Sequence, residues 1–286
     1  MTISKKILSL TITLGSGTFG EDVGDTVTLT GFRMTADAVN PGGDSMGRCQ
    51  IRVFGLRADV MNKLTTIGSV NTAIKAKNGI LLAAGDDDGM SSVFSGTILD
   101  AWADYNAAPD VAFNIIAYSG LSAAVKPVGA TSYKGAADVA DILADIAANQ
   151  MGLAFENNGV SAKLVNPYLA GTALDKIRSC ARAAKVLWSI EHDTLFIWPA
   201  DGSRAGDVPK VSFSTGMVGY PSLSSKGMTV KMLYNPNIKL GGDIDVDSEI
   251  PMSRGKWRVF NVSHNLSSEI AGGPWFTTAD TYNAGQ

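Results

Sequence analysis

The stretch Ile7-Leu8-Ser9-Leu10-Thr11-Ile12-Thr13-Leu14 sets the reading of the whole chain. Leu8, Leu10, Ile12 and Leu14 alternate with Ser9, Thr11 and Thr13, the period of a strand with one face buried. Lys5-Lys6 just before it resembles the start of a signal peptide. A signal peptide, however, carries an unbroken apolar core and a small-x-small cleavage site, and neither is present. The segment is therefore expected to be the first β-strand. No run approaches the roughly 18 apolar residues that a membrane-spanning helix needs, so no span is expected and the protein is expected to be soluble.

Working outward, the same texture continues to about residue 127. Asp25 to Thr30, Arg48 to Phe54 and Val111 to Tyr118 read as strands between Gly and Asp turns, with one short helix at about Arg57 to Leu64. This predicts an antiparallel barrel or sandwich over residues 1–127. The period then changes. In Ala136 to Ala148, Val139, Ile142, Leu143 and Ile146 fall on one helical face, with Asp138, Asp141 and Asp145 on a solvated one. Thr172 and Asp175 have capping-box spacing before a helix whose buried stripe is Leu174, Ile177, Ala181 and Ala184. Val186 to Glu191 and Thr194 to Trp198 form a hairpin around His192-Asp193, so residues 128–206 are expected to form a small α/β module. From 207 to 286, regularly spaced glycines restore strand texture. Trp257 to His264 and Pro274 to Thr281 read as a hairpin near Gly272-Gly273, giving a second barrel-like domain.

Composition narrows the function. Of 286 residues, 24 are Lys or Arg and 27 Asp or Glu, so no basic surface is available to grip phosphates. A hydrophobic share of 45% with 18% charged residues is that of a globular chain with enough length for one large or two to three small domains. Cys49 and Cys180 are far apart and lack a CxxC partner, so they read as two reduced core thiols of a protein made in the cytosol.

Local motifs resolve into turns. Gly15-Ser16-Gly17-Thr18-Phe19-Gly20 matches G-x-G-x-x-G, but a strand rather than a helix follows, leaving no helix N-terminus for a pyrophosphate; the loop reads as a hairpin connection. Asp86-Asp87-Asp88-Gly89 reads as a solvated turn, because three consecutive carboxylates do not converge on one calcium ion. His192 sits in a turn and His264 on an apolar strand face, without a partner motif for catalysis. Trp102, Trp188 and Trp275 lie in strand-like runs, where core packing is expected ahead of a sugar-stacking role.

The most informative acids are Asp243, Asp245, Asp247 and Glu249. In Gly242 to Ile250 they alternate with Ile244, Val246, Ser248 and Ile250, so a strand turns all four carboxylates one way. The D-x-D-x-D start is not an EF-hand, since Ser248 holds the glycine position and Arg254 the bidentate glutamate position. Acids side by side on one strand also fail to flank a sugar from two faces. A solvated face is the plain reading, and an acidic wall lining a passage the sharper one. No catalytic, cofactor or metal residue is assigned.

Two longer stretches carry a resemblance. Cys49-Gln50-Ile51-Arg52-Val53-Phe54-Gly55-Leu56 runs on through Leu64-Thr65-Thr66-Ile67-Gly68. The second has Gly216-Met217-Val218-Gly219-Tyr220-Pro221, Leu233-Tyr234-Asn235-Pro236-Asn237, Gly255-Lys256-Trp257-Arg258-Val259-Phe260-Asn261-Val262-Ser263-His264 and Gly273-Pro274-Trp275-Phe276. In this order they resemble the baseplate hub proteins of phage tails, related to the hub part of type VI secretion spikes. The resemblance implies a mainly β chain with two tail-tube-like antiparallel β-barrel domains around a helix-containing insert, and no enzymatic activity. It further implies a homotrimer whose six barrels form a pseudo-six-fold ring, with the tail tube protein above and the spike protein below. Tape-measure and baseplate wedge proteins would be further neighbours. DNA would pass through the channel without specific binding, in a virion baseplate assembled in the host cytoplasm. The Asp243, Asp245, Asp247, Glu249 ladder would then face that channel. A tail-associated glycan-cleaving enzyme using two of these acids, or a carbohydrate-binding β module, are the alternatives.

Overall fold

The structure is a computed structural model describing residues 5–20, 24–42, 45–66, 78–125 and 128–283. Glu21 to Val23, Ile67-Gly68 of the first family-like stretch and the expected boundary at Pro127 lie outside the described residues. Strands take 49% and helices 15%, so the chain is mainly β, as read. It divides into two compact units, each built from separated segments: Met1–Val39, Gly47–Ser119 and Ser263–Thr277, then Asn40–Met46, Gly120–Val262 and Thr278–Gln286.

In the first unit Ile7–Thr13 is a strand with alternating burial, and Leu8, Leu10 and Ile12 are fully buried. Each such side chain contributes about 1.5–3 kcal/mol over leaving it in water. A slip of one residue would expose all three, which fixes the register with Thr26–Thr30 on one side and Gly79–Asp86 on the other. The order continues antiparallel through Gly89–Asp104, Ala112–Tyr118, Arg48–Phe54 and Met34–Asn40. Ser263–Ser268, the end of the long strand Gly255–Ser268, belongs to this unit and lies beside Met34–Asn40. Ile51, Val53, Leu82, Phe113 and Ile115 fill the buried face. The glycine loop at 15–20 closes the first hairpin, where Phe19 N–H donates to Gly24 O at 2.7 Å. Asp87-Asp88 turns the next hairpin, and the Asp86 carboxylate accepts from Asp88 N–H at 3.1 Å.

The second unit holds two apolar clusters. In the first, helices Val139–Asp145 and Ala173–Ala184 pack with a three-stranded sheet of Ala154–Asn157, Thr194–Pro199 and Val186–Glu191. The Thr172–Asp175 capping box is formed in both directions, with Asp175 N–H to Thr172 Oγ1 at 3.2 Å and Thr172 N–H to Asp175 Oδ2 at 3.1 Å. His192 and Asp193 have φ of 49° and 55°, the two left-handed residues that a tight type I′ hairpin requires. The helix expected from Ala136 starts later. Asp138 ends a short strand and caps the helix, accepting from Ala140 N–H at 2.8 Å, so it does not join an acidic helical face. From Ile146 to Met151 the turns widen to a π-helix. The buried stripe of Ala173–Ala184 also contains Lys176, which its charge would place outside; its ammonium donates to Gly129 O, Thr131 Oγ1 and Gln150 Oε1.

The second cluster underlies a sheet ordered Ser222–Ser224, Gly227–Leu233, Trp275–Asn283, Gly255–Ser268, Asp243–Asp247 and Lys210–Ser212. The expected C-terminal hairpin is present with longer arms. In neither unit does the sheet close into a barrel: one order ends at Thr26–Thr30, the other at Ser222–Ser224 and at Lys210–Ser212. The strand-rich regions, read from alternation as barrel or sandwich and from the family resemblance as barrels, form open sheets, because period-two patterning specifies a buried face and not which edges join.

Candidate functional site

The acidic ladder stands on Asp243–Asp247, which the preceding turn aims into the sheet. Gly241 has φ 77°, and a Cβ there would lie 2.5 Å from the Trp198 ring, so glycine lets the chain pass over the indole. Ile244 and Val246 are buried, while Asp243 and Asp245 are half-buried and Asp247 exposed, as the alternation requires. Glu249 lies beyond the strand end and is exposed.

The ladder is not bare. Its antiparallel neighbour places Arg258 opposite Asp243 and Lys256 opposite Asp245. On the other side, the parallel strand Lys210–Ser212 puts Lys210 level with Asp245. Arg258 Nε donates to Asp243 Oδ1 at 2.9 Å, with their side chains only 10% and 16% exposed, and Arg258 also donates to Asp201 O at 3.2 Å. Burial works against the guanidinium charge, but the hydrogen bonds and charges of Asp243 and then Tyr282 outweigh it and raise the Arg258 pKa. Lys210 Nζ reaches Asp247 at 3.0 Å; this bond lowers the Asp247 pKa and raises that of Lys210. Tyr220 OH donates to Glu249 Oε2 at 2.9 Å, which raises the phenol's pKa. Three of the four acids are therefore engaged, and Asp245 sits between two lysines in register.

These basic partners were legible in part. Lys256 and Arg258 alternate in Gly255-Lys256-Trp257-Arg258, so they had to share a face. Nothing local marked Lys210. Among the described residues no group of three or more His, Cys, Asp or Glu is placed to hold a metal ion. His264 Nδ1 lies 2.9 Å from Thr277 Oγ1, and His192 sits in its hairpin turn with φ 49°. Trp188 is buried, whereas Trp102 is 36% exposed and Lys6 lies 6.0 Å from the centre of the Trp275 ring. Core packing thus holds for Trp188 and not for Trp102.

The fold is similar to that of phage tail proteins. A 43 kDa tail protein of prophage MuSo2 from Shewanella oneidensis superposes with a TM-score of 0.63 at 10% identity, over 96% of this chain and 97% of that one. A tail protein from Neisseria meningitidis gives 0.66 at 9%, over 97% of both. A component of the type VI secretion system of E. coli, itself described as similar to the T4 tail proteins gp27 and gp5, gives 0.58 at 9%, over 87% of this chain and 73% of that one. No curated protein matches the chain in sequence. The family model for baseplate hub gp41 matches residues 7–280. The chain belongs to the baseplate hub gp41 family of phage tail proteins.

Proposed function

We propose that this chain is a non-enzymatic hub of the virion baseplate. Three copies form a ring between the tail tube and the spike, each contributing two tube-like units, and DNA leaves through the middle. The observation that supports this most is the family match across residues 7–280, joined by tail-protein folds that cover nearly the whole chain. Two open-sheet units in one chain suit a ring in which three copies supply six similar parts. The division at 1–127, 128–206 and 207–286 is retained as a proposal for how the sequence is organised, with the α/β module as the insert.

The ladder of Asp243, Asp245, Asp247 and Glu249 is proposed to face the channel. With Lys210, Lys256 and Arg258 interleaved, it makes a nearly neutral wall rather than a strongly repelling one. Such a wall still avoids the uncompensated cations that would hold DNA by counterion release. Engagement of three carboxylates in fixed bonds also disfavours a role in glycan cleavage, which needs two acids free to exchange protons across a sugar.

Native mass spectrometry of the full chain mixed with the spike protein of the same phage tests this reading. A complex with three copies of each is expected. A stable one-to-one complex, or cell-wall hydrolysis abolished by Asp245→Asn, would refute it.

A further inference from the structure

We propose that the Thr26–Thr30 edge of one copy pairs, head to tail, with the Ser222–Ser224 edge of the next. The inference rests on the ring reading above and names the contact that makes the ring.

The first edge is open by geometry. Leu14 N–H donates to Asp25 O at 2.8 Å, and the register sets Ile12 opposite Val27 and Leu10 opposite Leu29. Antiparallel alternation then points the backbone groups of Val27 and Leu29 at Ile7–Thr13, and those of Thr26, Thr28 and Thr30 away from it. Among the described residues these outward groups meet no partner. Edge strands are normally protected by charge, proline or a bulge, and residues 26–30 carry none. Three hydroxyl pairs, Ser9–Thr30 at 3.3 Å, Thr11–Thr28 at 3.1 Å and Thr13–Thr26 at 3.3 Å, hold the strand in register on its exposed face.

The second edge is its counterpart. Val218 N–H donates to Lys231 O and Leu233 N–H to Gly216 O, both at 2.8 Å, so odd-numbered residues of Gly227–Leu233 bond toward this side. Ser222 and Ser224, opposite Thr229 and Gly227, are thereby turned inward, and Leu223, a residue 41% exposed, presents its N–H and C=O outward. This strand is also uncharged, and Pro221 before it and Lys226 after it limit the pairing to its centre.

A strand edge is matched by another strand edge, and among the described residues Thr26–Thr30 and Ser222–Ser224 are the two uncharged ends of the large sheet; at its third end, Lys210–Ser212, Thr215 Oγ1 and Met217 N–H already take up the outward groups. The two are unlike, so the contact is heterologous, and such contacts repeated by rotation close into a ring. Pairing the middle outward residue of the long edge with the single outward residue of the short one sets Thr28 opposite Leu223 in an antiparallel pair. So few hydrogen bonds define register more than affinity. Open sheets that fail to close within one chain would then close through their neighbours.

Cysteine cross-linking of the full chain tests it. A hydrogen-bonded antiparallel pair has a Cα separation of about 5.5 Å, within the range a disulfide spans. The native Cys49 and Cys180 are fully buried and do not compete. Under mild oxidation, a mixture of Thr28→Cys and Leu223→Cys chains is expected to give dimers, the double variant a closed trimer, and either single variant alone no cross-link. Cross-linking by Thr28→Cys alone would overturn the proposal in favour of self-pairing. Oligomers seen by light scattering without any cross-link would overturn the contact and leave the ring reading standing. Monomers throughout would remove both, and a ladder of longer species from the double variant would keep the contact while removing the closed ring. As a second arm, beside a Thr28→Val control that loses only the Thr11–Thr28 hydroxyl pair, Thr28→Pro loses that pair and an outward N–H. It is expected to keep the monomer's circular dichroism and lose assembly, so continued oligomerisation of that variant would also overturn the proposal.

Discussion

Replacing Asp243 by Asn separates a structural ladder from a merely solvated row of acids. The change keeps size and removes charge, leaving the Arg258 guanidinium with neutral acceptors, among them the amide oxygen at position 243 and Asp201 O at 3.2 Å, in place of a carboxylate at 2.9 Å. Removing one partner of a fully buried pair costs about 3–5 kcal/mol. With the two side chains 10% and 16% exposed, some water screens the orphaned guanidinium, and about 2–4 kcal/mol is expected here. Urea unfolding followed by tryptophan fluorescence reads this well, because Trp257 is buried beside Arg258 in the same strand. The midpoint should fall with the slope unchanged. Asp247→Asn, whose pair with Lys210 is 57% exposed on each side, should leave the midpoint where it was. The double variant Asp243→Asn with Arg258→Met should regain most of the loss, since no buried charge is left unpaired. Equal midpoints for Asp243→Asn and Asp247→Asn would refute the reasoning, because the sheet would then be indifferent to which rung carries a buried partner.

Gly241→Ala places a Cβ 2.5 Å from the Trp198 ring at a φ of 77°; left-handed strain and overpacking together predict a loss of about 2–4 kcal/mol in the same unfolding assay, with altered Trp emission. Thr172→Ala removes the acceptor for Asp175 N–H and should cost about 1 kcal/mol, whereas Thr172→Ser should be close to neutral. Burial pushes the Cys180 thiol up to about 11 and the Cys49 thiol higher still, so neither should react with a thiol reagent at pH 8 until the chain unfolds. The folded thiols keep protons that the unfolded chain releases above its ordinary value near 9. Stability should therefore decline as pH rises from about 9 toward 11, and a Cys180→Ala variant should show less of that decline.

Strands and helices with a strict period were readable from the residues: Ile7–Thr13, the capped helix after Thr172 and the hairpin at His192-Asp193 each carry their own signal. What escaped reading is set by distant partners. Lys176 is absent from the stripe Leu174, Ile177, Ala181 and Ala184 that the sequence shows, because the three oxygens that let it be buried come from residues 26 to 47 positions away. The acid ladder was visible as alternation, but Lys210, 35 residues before Asp245, becomes its neighbour only through a parallel pairing that no local pattern encodes. Trp102 was expected in the core from its apolar neighbours, yet its strand position puts it opposite Asn114, on the face shared with exposed Arg52. Alternation left barrel and sandwich both open because it is silent about sheet edges, which is where the two units stay open.

The most direct test of the hub account is an image reconstruction of the tail tip of the virion that carries this chain. The account predicts three copies in a single layer at the junction of tube and spike, each filling two of six similar positions around the channel, with Asp245 toward the axis. Six copies in that layer, or a position away from the tube–spike junction, would contradict it.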